Sequence, residues 1–82
     1  MQITIERMIA FNFQIEVEEE ETIESIKMKI YMVVSIPPDQ QRLVYQGEDM
    51  VEDKTISDYN IQMGSIIHLS IWSSEYGAWR EI

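Results

Sequence analysis

Two adjacent prolines, Pro37 and Pro38, fix the point at which the main helix of this chain must end. Proline has no backbone N–H and biases the residue before it toward an extended conformation, so a helix cannot run through the pair. Upstream, apolar residues recur at helical spacing: Ile23, Ile26 and Ile30. The hydroxyl of Thr22 can cap the first turn. The pattern predicts one helix that begins after Thr22 and ends near residues 33–35.

Alternation of apolar and polar side chains predicts strands on both sides of this helix. Residues 1–7 and 13–17 each alternate with a period of two, which predicts a hairpin of half-buried strands. Three later strands are predicted at residues 42–45, 50–51 and 66–72. Residues 55–58, Thr-Ile-Ser-Asp, resemble a capping box that opens a short helical turn. The predicted fold class is α+β, with one helix packed on a mixed sheet.

The charge balance excludes several classes of partner. Fifteen acidic residues oppose six basic ones, for a net charge of −9 in 82 residues. Such a field repels nucleic acid and anionic lipid, so we expect neither nucleic-acid nor membrane binding. It would also attract basic partners, and the alternative is that the charge only confers solubility. The chain has no cysteine, no apolar run long enough to span a membrane and no signal-peptide pattern at its start. We expect a single domain located in the cytoplasm, the nucleus or both.

Catalytic chemistry has little support in the sequence. His68 is the sole histidine, and Ser65, three residues before it, stands at a spacing with no special meaning. One histidine and scattered carboxylates do not make a metal site. The acidic run at residues 18–21 lacks the spaced oxygens and glycine turn of a calcium loop. We expect no enzyme activity, no catalytic residue, no metal, no cofactor and no small-molecule substrate.

Three segments in one register carry a resemblance to a known family. They are MQI at residues 1–3, IPPDQQRL at 36–43 and TISDYNIQ at 55–62. The chain resembles the ubiquitin family, without a gap from Met1 to about Ser74, and only Ile56 departs from the family within the third segment. The resemblance implies a β-grasp domain over residues 1–74, in which the helix crosses one face of a five-stranded mixed sheet. Residues 75–82 have no counterpart and are expected to form a C-terminal tail.

The resemblance also implies a protein-binding surface on the sheet. Receptors of the family grip an apolar patch that corresponds here to Met8, Val44, His68 and Ser70, which Arg42, Gly47, Ile66 and Trp72 extend. Ile36 and Ile71 form a possible second face. The implied partners are proteins of the ubiquitin–proteasome system: receptors, the proteasome and ubiquitin-processing enzymes. The alternative is that these are ordinary surface residues retained from ancestry.

Conjugation in this family requires a terminal diglycine and acceptor lysines, and both have changed here. Residues 72–76 read Trp-Ser-Ser-Glu-Tyr, and no two glycines are adjacent anywhere in the sequence. Family lysine positions hold Glu6, Phe11, Val33, Glu48 and Met63, whereas Lys27 and Lys29 remain. We therefore expect a non-conjugated interaction module, as a domain of a longer protein.

Two alternatives stay open. The chain could be an engineered ubiquitin variant that inhibits a deubiquitinase or ligase, since selected aromatics would explain Phe11, Trp72 and Tyr76. A true modifier would require that the sequence had been truncated or mutated. The full open reading frame would discriminate between a natural module and an engineered variant.

A further expectation from the resemblance concerns the end of the helix. The family has glycine where this chain has Ser35, because the helix ends there in a left-handed conformation. The resemblance thus implies a positive φ at Ser35 or a rearranged helix end, at a cost of about 1 kcal/mol for a residue with a Cβ.

Overall fold

The computed structural model describes residues 1–7 and 11–81, and it confirms an α+β β-grasp fold with one helix packed on a mixed sheet. The strands are β1 (Gln2–Glu6), β2 (Phe13–Glu16), β3 (Gln41–Tyr45), β4 (Glu48–Asp49), β5 (Ile66–Ser73) and β6 (Ala78–Glu81). The helix α1 spans Ile23–Val34, and two 3-10 turns span Pro38–Gln40 and Ser57–Tyr59. No helix within the described ranges is long and apolar enough to cross a lipid bilayer.

The sheet is built around a parallel pair of strands. Its order is β2-β1-β5-β3-β4, with β6 added against β5. β1 and β5 run parallel, and every other neighbouring pair is antiparallel. β1 pairs with the first part of β5, through Ile66 to His68, and β6 pairs with its last part, from Ser70 to Ser73. β6 therefore occupies the edge of β5 that lies beyond the end of β1.

The helix ends follow the sequence signals. The Thr22 hydroxyl accepts a hydrogen bond from the Ser25 backbone N–H at 3.2 Å. At the other end Ser35 has φ 61° and ψ 27°, and its N–H donates to the carbonyl of Tyr31 at 2.8 Å. The left-handed cap implied by the resemblance is thus present although the residue carries a Cβ.

A single core lies between α1 and the inner face of the sheet. The helix contributes Ile23, Ile26 and Ile30, each with no exposed surface. Alternate residues of the strands meet them: Ile3, Ile5, Ile15, Leu43, Ile67 and Leu69. Truncating one such aliphatic side chain to alanine would cost about 2–5 kcal/mol, so these residues hold the sheet to the helix.

The capping box forms as predicted. The Thr55 backbone N–H donates to Asp58 Oδ2 at 2.9 Å, and the Asp58 N–H donates to Thr55 Oγ1 at 3.2 Å. The backbone hydrogen bond from Thr55 lowers the pKa of Asp58. Asp58 therefore has a structural role that accounts for its position.

The fourth strand was predicted two residues too late. β4 spans Glu48–Asp49, whereas Met50 is buried after it. Gln46 and Gly47 both have positive φ, 52° and 81°, as a two-residue hairpin turn requires. Such a turn pairs Tyr45 directly with Glu48, so the return strand begins at once.

Candidate functional site

The face of the sheet turned away from α1, which we call the outer face, carries most of the predicted binding residues. Ile67 and Leu69 of β5 are buried in the core, and successive side chains of a strand point to opposite sides. The outer face is therefore formed along β5 and β3 by Ile66, His68, Ser70, Trp72, Arg42 and Val44. Val44 pairs opposite His68, and Arg42 pairs opposite Ser70, so the two rows lie side by side.

Ser70 departs from the expected surface. Ile66, His68 and Trp72 are exposed, but Ser70 is only 7% exposed. It pairs with Arg42 on β3 and with residue 81 on β6, so it has a strand on each side. Ser70 consequently adds little surface to the outer face, because the chain beyond residue 74 folds back beside it.

Two pairs of charged or ionisable side chains flank the face. His68 Nδ1 lies 2.8 Å from Glu6 Oε1, a salt bridge when the imidazole is protonated. Arg42 donates from Nε and Nη2 to the two carboxylate oxygens of Asp49, at 2.6 and 3.1 Å. Hydrogen bonding to Arg42 lowers the pKa of Asp49. Exposed pairs of this kind contribute little to stability, but they fix the direction of the side chains.

A C-terminal hairpin extends the outer face with a second tryptophan. β5 and β6 are joined by a turn over residues 74–77, in which Gly77 has φ 61°. Trp72 pairs opposite Trp79, and their ring centroids lie 5.5 Å apart in an edge-to-face arrangement at 72°. The two side chains are 39% and 40% exposed. Residues 78–81 of the predicted tail therefore form a strand, and Trp79 is a surface residue that the sequence did not predict.

The opposite side of the same hairpin carries a cation–π contact. Arg80 pairs opposite Ile71, and its guanidinium carbon lies 4.4 Å from the ring centroid of Tyr76. Gln41 connects Ile71 with Ile36, since it pairs opposite Ile71 and donates from Nε2 to the Ile36 carbonyl at 2.8 Å. Both isoleucines are half-buried, so this second face offers less apolar surface than the outer face.

One predicted binding residue lies apart from the strand rows. Gly47 is exposed in the β3–β4 turn, three residues after Val44 and not on the strand. Met8 lies outside the described residues, so its place beside Val44 stays a prediction.

Comparison with known proteins places the chain in a family. The model of the ubiquitin family matches residues 3–73. The chain belongs to the ubiquitin family. It is 39% identical over 69 residues to NEDD8-like protein RUB3 of Arabidopsis thaliana, a match that covers 84% of this chain and 88% of that protein. It is 35% identical over 69 residues to Ubiquitin-like protein NEDD8 of Dictyostelium discoideum, covering 84% and 90%.

A third relative shows the same domain inside a much larger protein. The chain is 36% identical over 69 residues to Large proline-rich protein bag6 of Xenopus tropicalis, a match that covers 84% of this chain but 6% of that protein. The ubiquitin-like domain thus occurs among these relatives both as nearly a whole protein and as a small part of one.

The side-chain amines of the two retained lysines of this ubiquitin-like domain contact nearby oxygen atoms. Lys27 is 6% exposed, and its Nζ lies 3.2 Å from Glu52 Oε1. Lys29 Nζ donates to Glu21 Oε1 at 2.8 Å and to the carbonyl of Glu16 at 2.7 Å. An acceptor lysine must present an accessible amine. Burial opposes this at Lys27, whereas the side chain of Lys29 is 39% exposed.

An apolar stripe also lies on the solvent side of α1. Met28, Tyr31 and Met32 are exposed at helical spacing. The stripe is separate from the outer face, because α1 covers the inner face of the sheet.

No arrangement suited to catalysis is found within residues 1–7 and 11–81. Ser65 Oγ accepts from the Gln62 N–H at 3.0 Å and lies 3.5 Å from the Tyr45 hydroxyl, so its contacts are with these residues rather than His68. The described residues contain no group of three or more side chains that could hold a metal ion.

Proposed function

We propose that this chain is a non-conjugated ubiquitin-like interaction module that binds proteins of the ubiquitin–proteasome system through its outer face. The observation that carries the proposal is the apolar surface on that face, where Ile66, Trp72 and Trp79 are exposed and Val44 is half-buried. Exposed apolar groups that cluster on one face mark interaction sites, and tryptophan is enriched among residues that dominate binding energy. A binding role without catalysis is consistent with the family, and such partners would place the module in the cytoplasm or nucleus.

The C-terminal hairpin supports the non-conjugated part of the proposal. Activation of a ubiquitin-type tail requires a flexible segment without side chains that enters a narrow channel. Here Trp72 and Tyr76 are bulky, and residues 70–73 are held in a paired strand. Opening the hairpin would cost its backbone hydrogen bonds and the Trp72–Trp79 contact, and a bulky side chain would still obstruct the channel.

One substitution tests the binding proposal directly. Val44→Asp places a charge at the centre of the face and should weaken the affinity for helical ubiquitin-binding peptides or a proteasomal receptor by several kcal/mol, without unfolding the domain. Lys54→Ala is the control, since Lys54 precedes the Thr55 cap and lies off the sheet. Calorimetric titration of both variants gives the comparison. Equal affinities for Val44→Asp and the parent would contradict the proposal.

The conjugation proposal has its own test. Incubation of the protein with a ubiquitin-activating enzyme and ATP should yield no thioester, because neither the diglycine nor a flexible segment is present at residues 72–76. A non-reducing gel, with ubiquitin as the positive control, reads the result. A reducible adduct of the two proteins would refute this part of the function.

A further inference from the structure

The tryptophan pair presents aromatic ring faces next to the outer face. Trp72 and Trp79 are the only tryptophans in the sequence, and both lie on the same side of the β5–β6 hairpin. In their edge-to-face arrangement one ring points its edge at the other, so the first ring keeps both of its faces away from the contact. Each side chain is about two-fifths exposed. The electron-rich face of tryptophan is the strongest side-chain binder of cations.

The cation already present in the hairpin does not use these rings. Arg80 pairs opposite Ile71 and lies over Tyr76, on the side away from the tryptophans. Arg42, which does lie on the outer face, is held by Asp49 through two hydrogen bonds. Neither of these guanidinium groups therefore lies against the ring faces of the Trp pair.

The charge of the molecule favours a basic occupant. The net charge is −9, and Glu6 and Asp49 flank the outer face while Glu75 lies in the hairpin turn. This field raises the local concentration of cationic segments and repels acidic ones. A cation that reaches the ring faces thus gains both from the long-range field and from the short-range contact.

The strand pairing determines the kind of segment that can dock. β5 is an interior strand: β3 lies along one edge, and β1 followed by β6 lies along the other. Its backbone offers no open edge for the addition of an extended peptide. The free edges of the sheet lie on β2, β4 and β6 instead. A partner that covers the outer face across β3 and β5 therefore contacts it through side chains, as an amphipathic helix does.

We propose that Trp72 and Trp79 form an anchor site for an arginine or lysine side chain of a basic amphipathic helix, whose apolar residues contact Val44 and Ile66. This inference rests on the proposed binding function of the outer face and adds to it the chemistry of the partner. It also assigns a specificity-determining role to Trp79, a residue that lies outside the matched family region.

The test uses the full chain and two synthetic amphipathic helical peptides. One carries leucine anchors flanked by arginines, and the other replaces every arginine with glutamine. Fluorescence anisotropy of labelled peptides gives the affinities, and the emission of the two tryptophans reports contact at the site. The arginine peptide should bind about tenfold more tightly than the glutamine peptide, and only the arginine peptide should strongly change tryptophan emission.

Substitutions at the hairpin separate a cation site from general packing. Trp79→Thr removes the ring but keeps a residue that favours strands. It should weaken the affinity for the arginine peptide about tenfold and change the affinity for the glutamine peptide little. The Trp79→Phe variant, which also keeps the strand, should lose less affinity for the arginine peptide. Arg80→Ala, on the opposite side of the hairpin, should leave both affinities unchanged. Amide cross-peaks between residues 72 and 79 verify the pairing in each variant.

Each other outcome overturns a defined part of the inference. Equal weakening of both peptides by Trp79→Thr would mean that the ring supplies apolar area and not a cation site. An unchanged arginine-peptide affinity in Trp79→Thr, with binding lost in Val44→Asp, would remove the anchor site but leave the proposed function. If neither Trp79→Thr nor Val44→Asp changed the peptide affinity, both the anchor site and the proposed function would be refuted. A change of tryptophan emission with protein concentration alone would show that a second copy of the chain occupies the site.

Discussion

Ser35 illustrates how a single residue can carry a conformational cost that the rest of the fold imposes. Its φ of 61° closes α1, and its N–H satisfies the carbonyl of Tyr31. In this region a Cβ crowds the backbone and costs about 1 kcal/mol relative to glycine. The cap is kept because Pro37 and Pro38 follow and the chain must turn toward β3.

Replacing Ser35 by glycine should raise the free energy of unfolding by roughly 1 kcal/mol, because glycine adopts this φ without strain. A higher midpoint in urea denaturation would register the gain. Ser57→Gly is the matched control: Ser57 lies in the 3-10 turn with an ordinary backbone, and the same exchange should be destabilising there. An unchanged or lower midpoint for Ser35→Gly would contradict this account.

Glu21 is a second residue whose environment makes a measurable prediction. Burial raises the pKa of Glu21, but hydrogen bonds from Lys29, the Glu18 N–H and the Ser25 hydroxyl outweigh it, so the pKa is lowered in the folded state. The distances are 2.8, 2.9 and 2.9 Å. A lowered folded-state pKa contributes stability above the unfolded value, about 4.3, and this contribution is lost as the pH falls through the folded value.

Glu21→Gln should therefore destabilise the protein by about 1–3 kcal/mol at pH 7, where the parent keeps its charged hydrogen bonds. The difference should shrink as the pH falls from about 5 toward 2, because the parent carboxylate then becomes protonated. Thermal unfolding of both proteins across this range measures the effect. A difference that stays constant with pH would refute the role assigned to the ionised carboxylate.

At the scale of the elements, the strands and the helix differ in how far the sequence predicted them. The β1, β2 and β5 segments alternate cleanly, and α1 is bounded by Thr22 and the two prolines, so local signals sufficed. The predicted position of β4 was two residues too late. The turn at Gln46–Gly47 requires a non-glycine residue at positive φ, which composition does not reveal.

The β6 strand was missed for a different reason. The family resemblance ends near Ser74, so the resemblance predicts only a tail for residues 75–82. A local signal was present, however: Trp72 and Trp79 are placed symmetrically about a turn that contains Gly77. Because β6 was not expected, neither the burial of Ser70 nor the surface formed by Trp79 could be predicted.

The β5–β6 hairpin should open locally when Gly77 is changed to alanine. Gly77 has φ 61°, and a Cβ there would meet no atom within 4 Å, so the cost of about 1 kcal/mol is one of backbone conformation alone. The Trp72–Trp79 coupling in the circular dichroism spectrum should weaken, while the global unfolding midpoint changes little, since residues 78–80 of β6 are exposed. An intact tryptophan signal, or a large loss of global stability, would contradict the placement of β6.

At the scale of the whole molecule, the fold separates two apolar surfaces. The outer face lies on one side of the sheet, and the Met28, Tyr31 and Met32 stripe lies on the far side of α1. The net charge of the molecule is −9, so neither apolar surface is expected to attract an anionic partner. The family membership supports a binding role without deciding which surface is used, and we propose that it is the outer face.

Amide chemical shifts, recorded while a helical ubiquitin-binding peptide or a proteasomal receptor is titrated into the full chain, test that claim most directly. We expect the perturbed amides to cluster on β3, the second half of β5 and β6, around Val44, His68, Trp72 and Trp79. Perturbations centred instead on α1, around Met28 and Met32, or on the Asp58 turn would contradict the assignment of the outer face as the binding surface.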